Sequence, residues 1–199
     1  FLGTTSPINN ERDSLDNSPS VYFNYNLSVS MSVEKIDEIN VINYIYLDRS
    51  YVGFKEAIAF KESQGKYTVV NSLGYLGKYQ FGVSTLKLIG IYNPSEFLYN
   101  PKLQEKAFLA NTKRNKWVLR KDIRRFVEHK INGTIVTESG ILAAAHLAGP
   151  GNVKRYLRSY GAIGFIDAFG TEIESYIRIF SSYDTSFIVP NKRPKAKLL

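Results

Sequence analysis

Glu62 is the side chain with the most to offer chemically. It stands at the end of an apolar segment, SYVGFKEAIAFKES (residues 50–63), whose apolar groups recur at helical spacing behind Ser50, an N-cap candidate. The C-terminal end of a helix carries partial negative charge and disfavours an ionised carboxyl there. An apolar cleft alongside disfavours it further by desolvation. A carboxylic acid kept protonated near neutral pH serves as a general acid. Behind it lie Gly65, Gly74, Gly77 and Gly82, which let backbone approach a bulky ligand. Tyr67, Tyr75, Tyr79 and Phe81 supply flat surfaces suited to sugar rings, and Gln80 supplies an amide donor and an acceptor.

Two further constellations lie downstream. Residues 141–153, ILAAAHLAGPGNV, pair a small-residue helix, made for close helix packing, with a sharp Gly149-Pro150-Gly151 turn. In TEIESYI (171–177), Glu172 and Tyr176 lie four apart and share one helix face. Taken singly, these are core, turn and amphipathic helix.

In their order the motifs resemble a family. Glu62-Ser63, then Gly77-x-x-Gln80 about 15 residues on, then Ala145-x-x-Ala148-Gly149-Pro150-Gly151-x-Val153, then Glu172-x-x-x-Tyr176-Ile177 look like the soluble lytic transglycosylase and goose-type lysozyme superfamily. The likeness covers roughly residues 50–180, and its most specific part is the Ala-Gly-Pro-Gly element. Gly77-Lys78-Tyr79-Gln80 is also similar to lambda-type phage endolysins. The resemblance implies a mainly α, lysozyme-like domain that cleaves the β-1,4 bond between N-acetylmuramic acid and N-acetylglucosamine in peptidoglycan. It makes Glu62 the single catalytic acid/base, giving a 1,6-anhydro sugar without consuming water. Gln80 and the backbone of residues 77–82 line the cleft, with Tyr67, Tyr79, Phe81, His146 and Tyr176 beside substrate. Glu172 matches a family glutamate that contacts substrate. No metal or cofactor is required.

The chain departs from the family in two places. His146-Leu147 stands where the family has Tyr-Asn, whose tyrosine orients the catalytic glutamate. His146 either takes over that role or is a buried histidine bonded to a backbone carbonyl. Tyr79-Gln80-Phe81-Gly82 replaces Met-Gln-x-Met-Pro, which implies a more aromatic groove floor. Hydrolysis rather than transglycosylation would call for a second carboxylate. Glu138, Glu172 and Glu174 are the candidates, and none carries a motif that marks it, so the anhydro route is favoured over a lysozyme-type muramidase.

These residues must be positioned by the rest of the 199-residue chain, of which 44% is apolar and 22% charged, enough for a real core. Absence of cysteine excludes disulfides, Cys-ligated metals and thiol nucleophiles. Two histidines do not make a His-rich metal site, and no phosphate-cradling glycine motif occurs. No run of 18 apolar residues exists, so no spanning helix is expected. The elements expected are helices over 50–63 and 83–90, and a long basic helix opened by Asn100-Pro101 and running to Asn132-Gly133. A helix capped by Thr137 then runs to Gly149, followed by helices over 152–159 and 171–180. The domain plan is an N-terminal extension (1–48, an arm with a possible strand over 21–33), a catalytic domain (49–182) and a basic, mobile tail (183–199).

Net charge is +8, split as −4 over residues 1–50 and +12 over the rest. A basic body suits a polyanionic partner. Residues 101–130 hold ten Lys or Arg against three acids, either a solvated helix face or an attraction to anionic cell-wall strands. No nucleic-acid motif accompanies them. Residues 1–48 fold back over the basic surface or dock the enzyme on a secretion or phage-tail assembly. A chain that opens on Phe1 reads as a processed product whose export signal is gone. The expected place of action is outside the cytoplasm: periplasmic, secreted or virion-borne. A non-catalytic cell-wall glycan-binding or scaffold protein is the competing reading.

Overall fold

In a computed structural model that describes residues 49–168 and 170–197, the described residues form six helices and one short hairpin. The readings for residues 1–48, the strand over 21–33 included, lie outside the described residues. Helix α1 (Tyr51–Ser63) starts where the Ser50 hydroxyl accepts the Gly53 N–H at 3.2 Å, and it ends at Gln64 in the left-handed conformation, φ 57°. A looped segment follows, pinned by bridges between Val70 and Leu76 and between Leu76 and Phe81. Helices α2 (Val83–Leu88) and α3 (Pro94–Leu98) come next.

Helix α4 (Pro101–Phe126) is capped by Asn100, whose side-chain oxygen accepts the Leu103 N–H at 3.0 Å, with Pro101 in the first turn. It stops at Phe126, earlier than expected. Asn132 (φ 47°) and Gly133 (φ 84°) then turn a hairpin between β1 (Lys130–Ile131) and β2 (Thr134–Ile135), since both adopt the positive φ that this turn demands. Helix α5 (Glu138–Arg158) is capped by Thr137 and broken at Gly149, whose φ 75° and ψ 153° are non-helical, so the glycine–proline turn separates two helical stretches as expected. Helix α6 (Ile173–Ile179) completes the set. Among the described residues no helix is long and apolar enough to cross a membrane.

The core runs along the α4–α5–α6 stack. Ile141 to Ala145 of α5 are all buried, as the small-residue stretch requires. A Cβ on Gly140 would lie 2.5 Å from the Ile177 carbonyl oxygen and 3.0 Å from the Ile177 Cα. Backbone cannot yield there, so glycine sets the α5–α6 spacing. Gly140→Ala is expected to cost about 1–3 kcal/mol in urea unfolding, and to displace Tyr176, the neighbour of Ile177.

The C-terminal segment is no mobile tail. Ile188 is fully buried, Ala196 is 7% exposed, and the Ala196 N–H donates to the Ile89 carbonyl at 2.9 Å. Lys116 anchors the segment from α4, donating to the Thr185 carbonyl at 2.9 Å while pairing with Glu138 at 2.6 Å. The folded unit therefore extends past residue 182, because two apolar side chains in a basic stretch find places in the core.

Candidate active site

Glu62 sits half-buried in the last turn of α1. Its Oε1 accepts the Tyr176 hydroxyl of α6 at 2.7 Å, across 114 residues of sequence. Tyr176 is 2% exposed. Burial, together with the charge of Glu62 beside it, pushes the phenol far above its ordinary range and keeps it a neutral donor. Asp167 adds its charge from the loop before α6, where its Oδ1 accepts the Thr171 N–H at 2.7 Å. Glu62 Oε2 has no partner among the described residues, which leaves one carboxyl oxygen oriented by the protein and the other available to a ligand. The next residue ties α1 to the glycine-rich loop: the Ser63 hydroxyl donates to the Lys78 carbonyl at 2.8 Å.

Gln80 and His146 meet around a neighbouring cavity of about 290 Å³, with Phe81, Tyr75, Phe165 and the Gly149-Pro150 turn in its walls. Neither Glu62 nor Tyr176 lines it. The two places share their framework instead: the loop carrying Gln80 is the one Ser63 grips, and Phe165 accepts the N–H of Ile173, in the first turn of α6, at 3.3 Å. Gln80 stands at φ 49°, its amide donating to the Gly77 carbonyl at 2.8 Å. Of the two readings open for His146, the structure takes the backbone one. Its Nε2 lies 2.8 Å from the Tyr79 carbonyl oxygen, an acceptor, so that nitrogen bears the proton. Nδ1 is buried without a hydrogen-bond partner. The glutamate is oriented by Tyr176 and not by His146.

Two of the aromatic residues expected to face a sugar turn inward. Tyr79 is fully buried, stacked on Phe108 at a centroid distance of 4.3 Å. Its hydroxyl donates to Glu105 at 2.8 Å, as does that of Tyr67. Both hydroxyls serve a charge network; the Tyr79 ring has no exposed face, and the half-buried Tyr67 does not line the cavity. Phe81 is 2% exposed, its ring edge-on to Phe97 and His146, so it forms wall and not platform. Tyr75, 43% exposed at the cavity, is the aromatic that presents a surface. Glu172 is exposed at the N-cap position of α6, and its side chain makes no hydrogen bond among the described residues.

No motif or spacing marks Glu105. It accepts from Lys55, Lys78, Tyr67 and Tyr79, and although burial pushes its carboxyl up, these hydrogen bonds pull it down to about 2. Lys78 also reaches Glu56 at 2.8 Å. Gln104, fully buried, accepts the Lys78 N–H at 2.8 Å and donates to the carbonyls of Tyr67, Phe97 and Leu98. A Cβ at Gly77 would collide with that Gln104 side chain. The loop bearing Gln80 is thus fixed from beneath by two adjacent residues of α4. Compared with protein-family models, with curated proteins and with solved structures, the chain finds no match in any of the three.

Proposed function

We propose that the protein is a peptidoglycan-cleaving lytic transglycosylase built on a lysozyme-like helical domain, acting on the β-1,4 bond between N-acetylmuramic acid and N-acetylglucosamine with Glu62 as its acid/base. The observation that carries the reading is the 2.7 Å hydrogen bond from Tyr176 to Glu62. It joins two motifs of the family resemblance that are remote in sequence, and it leaves one carboxyl oxygen for substrate.

In this mechanism Glu62 Oε2 delivers its proton to the glycosidic oxygen as the C1–O bond breaks. The N-acetyl carbonyl of the muramic acid residue shields the developing charge at C1. The carboxylate then takes the proton of the C6 hydroxyl, whose oxygen closes on C1 to give the 1,6-anhydro ring. Protons balance on one carboxyl group, so no second carboxylate is needed, unlike the paired-carboxylate scheme of most glycosidases. Tyr176, held as a donor, fixes which oxygen of Glu62 works. Tyr176→Phe is expected to lower turnover about 10- to 100-fold, the worth of a hydrogen bond to a charged group, with little change in KM, measured on purified cell wall.

Lysozyme-type hydrolysis is the alternative. Of the second carboxylates it would call on, Glu138 is paired with Lys116 at 2.6 Å, Glu174 accepts from Asn132 at 2.8 Å, and Glu172 is exposed. The mass of the digestion products decides: anhydro ends weigh one water less than hydrolysed ones. Products carrying the full mass of water would make the protein a muramidase. Intact glycan after exposure to the wild type would leave a binding or scaffold protein. The substrate puts the site of action outside the cytoplasm, and no cofactor enters the reaction as written.

A further inference from the structure

Resting on that reading of the site, we propose that the cavity beside the glycine–proline turn is a carboxylate subsite, in which Arg114 receives an acid group carried by the muramic acid residue of the glycan. Arg114 projects from α4 and lines the cavity half-buried. It makes no ion pair or hydrogen bond among the described residues, and no Asp or Glu lines the cavity with it. A guanidinium drawn partly out of water without a counter-charge is costly, and its forked donors fit a carboxylate in two parallel hydrogen bonds.

Two other polar groups there also lack partners. Asn111, one turn back on α4, is only 5% exposed, and its side-chain amide makes no hydrogen bond among the described residues. His146 Nδ1 is buried and unpaired, and with Nε2 protonated it is an acceptor. Buried polar groups ordinarily find partners, and His146 Nδ1 is one without; with the unpaired side chains of Arg114 and Asn111 around the same cavity of about 290 Å³ it describes a ligand: an anion for Arg114, an amide or hydroxyl partner for Asn111, and an N–H or O–H for His146. Tyr75 and Leu88 give the same cavity an apolar rim against which a sugar face can lie. An N-acetylated sugar with an acid on its side arm has all of these features. The acid comes from one of two sources: the lactyl group when the strand has lost its peptide, or the peptide stem when it is present.

The test is binding, read without cleavage, in the full chain bearing Glu62→Gln. Three probes are titrated by calorimetry: N-acetylglucosamine, which has no acid; N-acetylmuramic acid, whose lactyl carboxylate is free; and N-acetylmuramyl-L-alanyl-D-glutamate, whose acids are on the peptide. The expected result is at least about tenfold tighter binding of one of the two acids than of N-acetylglucosamine. Whichever acid binds tighter names the source. Adding Arg114→Gln is expected to abolish the preference while the melting temperature holds. Arg114→Lys keeps a charge without the fork and reduces the preference several-fold. Equal affinity for the three probes, or a preference that survives Arg114→Gln, overturns the subsite. Failure of the transglycosylase reading shows separately, as glycan left uncut by the wild type.

Discussion

With Glu62 changed to Gln, glycan strands are expected to remain intact. Turnover falls on the order of 10²–10⁴-fold, the contribution of a positioned acid to proton transfer. The variant is nearly isosteric. Its amide oxygen still accepts the Tyr176 hydroxyl, which Glu62 Oε1 now accepts at 2.7 Å, so the helix end and the α1–α6 contact stay as they are. Fold and affinity for glycan are therefore retained while the transferable proton is lost, which separates this variant from one that merely unfolds. The measurement is the release of soluble muropeptides from purified cell wall, with a thermal melt beside it. Tyr176→Phe makes the useful contrast: it keeps the acid and loses only its orientation, so its deficit is the smaller one. Clearance of cell wall by Glu62→Gln at the native rate would remove Glu62 from the chemistry.

Local signals made the helix starts legible and left tertiary choices hidden. Ser50, Asn100-Pro101 and Thr137 each cap the helix that follows, because a cap is a contract between residues three apart. Asn132-Gly133 read as a break, but strands of two residues each carry too little alternation to announce a hairpin. Helix α3 has five residues and no period to detect. Tyr67 and Tyr79, set among glycines, looked like platforms for sugar. What ties down their hydroxyls is Glu105, which lies 38 and 26 residues away, and whose carboxylate nothing in the local pattern points to. Arg114 was one cation among many on a basic helix, distinguished only once the kinked α5 closes a cavity over it. Ile188 and Ala196 lie in a segment whose lysines and prolines advertise a tail, and only the body they pack on reveals otherwise. The pairing of Glu62 with Tyr176 sits between these cases. Each lies in a recognisable motif, yet the contact itself belongs to the fold.

The second large effect falls on that hidden carboxylate. Glu105 is 27% exposed and accepts from Lys55, Lys78, Tyr67 and Tyr79, and Lys78 beside it is 6% exposed. Its carboxyl is held at about 2 in the folded protein against 4.5 as the ordinary value. A carboxyl depressed on folding contributes stability that is fully present above its unfolded value and is lost as acid protonates the folded group. For Glu105 the loss runs from about pH 4.5 down to about pH 2. Linkage allows up to about 3 kcal/mol, and about 2 kcal/mol remains once solvent screening of a partly exposed group is taken into account. Glu105→Gln is therefore expected to lower the stability at pH 7 by about 2–3 kcal/mol, since Glu56 is then the one carboxylate left to Lys78. Urea unfolding followed from pH 7 to pH 2 should show the wild-type and variant curves converging in acid. Curves that stay parallel would mean that Glu105 carries no such charge coupling. The same substitution reaches the site through the loop. Lys78 presents its carbonyl to Ser63 and its N–H to Gln104, so freeing its ammonium slackens the segment that holds Gln80. KM for glycan should then rise more than kcat falls, because Glu62 and Tyr176 are anchored on α1 and α6 and keep their contact.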